Sequence, residues 1–133
     1  AIIGSGLRRL TDSRCFYCGS PVHDADVDHF MPFSMYPRDL IHNFVLAHPS
    51  CNRSKSDTLA ARPHLENWLQ HIARHDDALQ EIGEAAGRVS DISSSRAVAR
   101  WGYANALHGG AQAWLRARTF EPVDMHYLDC LAG

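Results

Sequence analysis

Apolar and polar positions change rhythm near residue 60 of the 133-residue chain. Before it, apolar stretches are short. Leu7 and Leu10, three apart, predict a brief helix that Thr11-Asp12-Ser13 turns off. Over residues 20–29 the alternation predicts a strand, with Asp24, Asp26 and Asp28 on one parity and Ala25, Val27 and His29 on the other. The unbroken run Phe44-Val45-Leu46-Ala47 predicts a second strand. Between them Phe30–His42 is long for a hairpin loop, and Pro32 and Pro37 keep it irregular; Phe30, Phe33, Met35 and Tyr36 read as the residues that pack it. Pro49-Ser50 opens a helix with Ser50 as a candidate N-cap, carrying Cys51, Asn52 and Lys55.

After residue 60 the period becomes helical. Leu65, Trp68, Leu69 and Ile72 follow the i, i+3, i+4, i+7 pattern behind Pro63. Leu79 and Ile82 mark a second helix that stops around Gly83–Gly87. A third, capped by Ser90-Asp91, carries Ile92, Val98, Trp101 and Leu107 and ends at Gly109-Gly110. Ala111–Leu115 reads as a short turn around Trp114, and Pro122 breaks the chain before a C-terminal tail. Trp68, Trp101 and Trp114 are expected in the core.

The first chemistry lies in spacing. Cys15 and Cys18 are separated by two residues, and so are His48 and Cys51. Two such pairs supply four N/S donors, each pair from one tight turn, which suits tetrahedral structural Zn2+. A redox Cys-x-x-Cys is the weaker reading, because no thioredoxin-like strand–helix pattern surrounds it. His71 and His75 could share a metal at i, i+4 but lack a third ligand, and Cys130 reads as an idle thiol.

Between the zinc pairs lie Val27-Asp28-His29-Phe-Met-Pro32 and Asn43, and after them Cys51-Asn52-Arg53-Ser-Lys55-Ser-Asp57. These residues, in this order, resemble the HNH endonuclease family, and they look like the HNH nuclease domain of CRISPR effector proteins. His48 stands where many members carry a fourth cysteine, a change that zinc accepts. The resemblance covers roughly residues 15–60 and implies a ββα-metal (HNH/His-Me finger) core with a structural zinc site; with the helical period that follows, the expected fold class is α+β, a nuclease core over residues 1–60 and a helical C-terminal extension over 61–133 packed on it, or one continuous domain. The resemblance also implies a metal-dependent endonuclease that hydrolyses DNA to 5′-phosphate and 3′-hydroxyl ends. In that scheme His29 activates water, Asp28 and Asn52 hold a catalytic Mg2+ or Mn2+, and Asn43 positions the loop or the His29 ring. Lys55 and Arg53 are the candidate phosphate contacts. The four-ligand zinc has no open position for water and serves the fold. One difficulty is geometric: neighbouring strand residues point to opposite faces, so the strand is expected to end, twist or bulge at Asp28-His29 if both serve one site.

Charge changes this picture little. Lys and Arg number 13, Asp and Glu 15, for a net charge of −2, so no global basic field announces nucleic acid. A local patch of Arg8, Arg9, Arg14, Arg38, Arg53 and Lys55 remains. No stretch is long and apolar enough for a membrane span, and cysteines committed to metal fit a reducing, cytoplasmic (intracellular) compartment. The chain begins at Ala rather than Met, which fits a part of a larger protein or complex as well as a whole one. Double-stranded DNA is the partner expected from the resemblance, and oligomeric state is open. Two rivals stay open: a noncatalytic zinc-stabilised module that binds nucleic acid or protein, and a different zinc enzyme with His29 as a ligand.

Overall fold

The structure is a computed structural model and describes residues 2–133. Helix α1 (Ile2–Thr11) leads through left-handed Asp12 and Ser13 into the cysteine turn. Strand β1 covers Asp26–His29, shorter than the 20–29 expected, and pairs antiparallel with β2 (Phe44–Ala47). The register is regular, Asp26 opposite Ala47 through His29 opposite Phe44, with no bulge; the strand simply ends at His29. Helix α2 (Pro49–Lys55) follows directly, with Pro49 in its first turn; Ser50 lies inside the helix, and His48 occupies the N-cap position. These three elements form the ββα unit, and the mixed α+β class is as expected.

Helices α3 (Arg62–Arg74), α4 (Asp76–Ala86) and α5 (Ile92–Gly109) match the three helical patterns. Leu65, Trp68, Leu69 and Ile72 are all buried on α3. Gly87 and Gly110 take the left-handed conformation that ends α4 and α5, and Asp91 caps α5 by accepting from the Ser94 backbone N–H at 2.9 Å. Two expectations are corrected beyond residue 100. Trp101 is 51% exposed, because α5 buries Ser95, Ala99, Gly102, Tyr103 and Ala106, a face of mostly small residues that Trp101 does not share. Residues 111–122 are no turn but a hairpin, β3 (Gln112–Arg116) and β4 (Thr119–Pro122), followed by a further helix, α6 (Met125–Leu131).

One hydrophobic core runs from Leu7 to Leu131 and draws on both segments. The extension supports the loop that follows His29. A Cβ at Gly102 would lie 2.5 Å from Met31 Cε, so α5 meets the methionines of that loop closely at this glycine, and a larger residue would have to displace the flexible end of Met31. Trp68 stacks on Phe30 with ring centroids 4.7 Å apart and donates its indole N–H to the His42 carbonyl at 3.0 Å. No described helix is long and apolar enough to cross a membrane.

Candidate active site and zinc knuckle

Cys15, Cys18, His48 and Cys51 converge, one donor atom from each within 4.8 Å of the others. It is the one such group of three or more among the described residues, so His29 is not one of its ligands and His71 and His75 form no second group. The turn that gathers the first pair depends on Gly19 at φ 76°, whose N–H donates to the Cys15 carbonyl at 2.9 Å. His48 Nε2 lies 3.1 Å from the Pro21 carbonyl, which fixes the proton there and leaves Nδ1 for metal; Nδ1 faces Cys18 Sγ at 3.3 Å. The thiols feel their crowding. Burial and the adjacent Cys15 and Cys18 push Cys51 up to about 12. Cys18 is raised by burial but more strongly lowered by hydrogen bonds from Ser20, Cys15 and His48, to about 7. A dication relieves that repulsion, so the donor set fits zinc.

Asp28 sits on β1 with its side chain turned inward. The Tyr17 hydroxyl donates to Asp28 Oδ2 at 2.6 Å, and Lys55 Nζ lies 4.0 Å from the same oxygen. Burial, and then the Asp28 charge, hold the Tyr17 phenol well above its ordinary range, so it stays a donor. Lys55 corrects an expectation. It is only 1% exposed, and Nζ donates to the His29 carbonyl at 3.3 Å. Burial lowers its pKa while the charges of Asp28 and Asp57 oppose that. A buried ammonium cannot meet a phosphate from solvent; here it braces the end of β1. Lys55→Ala is therefore expected to destabilise the zinc-loaded protein by about 3 kcal/mol or more, since it leaves Asp28 buried without its counter-charge. A urea melt reads this directly, and an unchanged midpoint would contradict the bracing role.

Asn52 projects from α2 toward β1 and donates Nδ2–H to Asp26 Oδ2 at 3.0 Å. Asp26 shares strand parity with Asp28, so the helix amide and two carboxylates gather along one side of β1. His29, on the other parity at the strand end, packs against Phe44 and Phe33 with centroids 4.8 and 5.3 Å away. Its Nε2 is 2.9 Å from Asp39 Oδ1. Asn43 clamps the loop: its Oδ1 accepts from Met31 N–H at 2.7 Å and its Nδ2 donates to Met31 O at 2.9 Å. Among the expected roles for Asn43, this geometry is the loop contact rather than the His29 ring. Arg53 is exposed on α2.

Residues 15–58 match the HNH endonuclease family model. The HNH match covers about a third of the chain and contains every residue of the knuckle and of the gathered side chains. The match suggests a nuclease-type function for this segment and agrees with the ββα unit and with the zinc group, which fits a zinc knuckle. No curated protein and no solved structure matches the chain. Three residues of the HNH segment escape sequence reasoning. Asp26 was signalled by its parity with Asp28. Tyr17 lay hidden inside Cys-x-x-Cys, and Asp39 sits in a loop without periodicity. A cavity of about 530 Å3 between Tyr17, α2 and Trp114–Ala117 is lined by none of Asp28, His29 or Asn52.

Proposed function

We propose that the chain is a metal-dependent endonuclease that hydrolyses phosphodiester bonds in DNA. The observation that carries this reading is the meeting of Asn52 with Asp26 at 3.0 Å on the strand side that Asp28 shares, with His29 following in sequence on the opposite parity at the strand end. A noncatalytic zinc module has no use for that assembly.

The donors are hard oxygens. Asp28 is held through Oδ2, which leaves Oδ1 as the carboxylate oxygen that would hold a metal; Asn52 spends Nδ2 on Asp26 and keeps its amide oxygen. That set fits Mg2+ or Mn2+, with Asp26 as a further donor or an orienting partner of Asn52. A bound divalent ion would supply Lewis-acid stabilisation of charge on the phosphate and the departing 3′ oxygen. His29 takes the proton of the attacking water. With Nε2–H donated to Asp39, the ring lone pair is on Nδ1, so Nδ1 is the base. Asn43 fixes Met31 and thereby the loop that carries Asp39, and Arg53 meets a phosphate from the exposed side of α2.

Manganese binding tests the metal assignment. Titrating Mn2+ into zinc-loaded protein, followed by electron paramagnetic resonance, is expected to give one site that Asp28→Asn and Asn52→Ala each weaken by about tenfold or more. Equal affinity in wild type and both variants would sink the assignment.

A further inference from the structure

The C-terminal hairpin lies outside the HNH match, yet it is fastened to the HNH helix. Ser54 Oγ donates to the Ala117 carbonyl at 2.5 Å, and Trp114 Nε1 lies 2.9 Å from Ser54 Oγ and 3.1 Å from Ala117 O. Trp114 is 1% exposed, so the clamp is anchored in the core. Ala117 sits at φ 46°, in the left-handed region that L side chains rarely adopt. The turn is thus held in one shape against α2, and it carries Arg116 and Arg118 on either side of Ala117.

We infer that Arg116 and Arg118 of this turn, together with Arg53, form a contact strip for the phosphate backbone of duplex DNA that continues from the nuclease site onto the C-terminal extension. The inference rests on the endonuclease reading. Helix geometry carries it. At about 100° per residue, Arg53 lies on the helix surface midway between Asn52, which turns to β1, and Ser54, which turns to the hairpin. Asn52, Arg53 and the Arg116–Arg118 turn therefore follow one another across the helix. All three arginines are exposed, and none forms an ion pair or a side-chain hydrogen bond among the described residues. Arg62 on α3 and Arg8 on α1, by contrast, are engaged: Arg62 Nε with Glu66 at 3.9 Å, Arg8 with the Val22 and His23 carbonyls. In a chain of net charge −2, three unpaired guanidiniums gathered from positions more than sixty apart make the local cation density that phosphate binding needs. The exposed Phe120 on β4 extends the same hairpin.

Salt dependence is the test. Binding of a short labelled duplex is followed by anisotropy in Mg2+ over a series of salt concentrations, in a His29→Ala background so that the duplex stays whole. The pair Arg116→Ala with Arg118→Ala is expected to lower the slope of log K against log salt by about two and to weaken binding on the order of tenfold at roughly 0.1 M salt. Arg116→Lys with Arg118→Lys is expected to keep the slope. If the Ala pair folds poorly, Arg118→Ala alone reads about half of the change. An unchanged slope in a folded Ala variant, with wild type still cutting plasmid, overturns this inference and leaves the endonuclease reading standing. A wild type that neither cuts nor binds duplex overturns both. A slope change seen with single strands or RNA but not with duplex overturns the assignment to duplex DNA.

Discussion

Replacing His29 by Ala is expected to slow single-turnover DNA cleavage by about 10²–10⁴-fold while leaving zinc content and DNA affinity in place. The magnitude is what a positioned general base contributes. The separation from folding follows from location: His29 is partly exposed at the end of β1, and its ring leans on Phe33 and Phe44 rather than filling the core. Its partner predicts a second, diagnostic effect. Asp39 accepts from Nε2 and so holds the lone pair on Nδ1. Asp39→Asn retains the shape but can donate to Nε2, which moves the ring proton to Nδ1 and disables the base. Nitrogen chemical shifts of His29 would report that tautomer without any cleavage assay. An Asp39→Asn protein with the wild-type tautomer and the wild-type rate would show that Asp39 is incidental.

Removing zinc, or one of its ligands by Cys51→Ser, is expected to have the largest effect on stability. Structural zinc binding contributes on the order of 10 kcal/mol in small zinc domains, comparable with the whole stability of an ordinary domain. Here the ion would join the turn before β1 to the first turn of α2. Without it, three thiols and an imidazole are left crowded at the junction that places Asn52 against β1. The melting temperature should fall by about 10 °C or more, and the pairing of α2 with β1 should be lost first. Chelation that strips the zinc yet leaves melting temperature and far-ultraviolet dichroism unchanged would show that the knuckle does not hold the fold.

The zinc group is legible in the sequence because chelation imposes a short fixed spacing on each pair of ligands. The second strand is legible at both ends, since Phe44–Ala47 is an apolar run bounded by polar residues. The role of Lys55 is not. In sequence a lysine beside Asn52 and Arg53 reads as a surface cation, and only the fold reveals that its stem runs inward to Asp28 and the end of β1. Trp101 fails for the converse reason. Helix α5 buries its small-residue face, and size alone pointed the wrong way. The hairpin at 112–122 was hidden because its pairing partner for burial is α2, some sixty residues upstream, a contact no local pattern records. No bulge relieves the opposition of Asp28 and His29 on one strand. The strand stops at His29, so Asp28 turns to Tyr17 and Asn52's side of β1, while His29 turns to Asp39 on the loop.

Plasmid cleavage by the zinc-loaded wild type, with Mg2+, with Mn2+ and with EDTA at a level that spares the zinc, tests the central claim most directly. Nicking or linearisation in either divalent ion, and none in EDTA, is the predicted result. Folded, zinc-loaded protein that never cuts under any divalent ion, or that cuts as fast in EDTA, would contradict it.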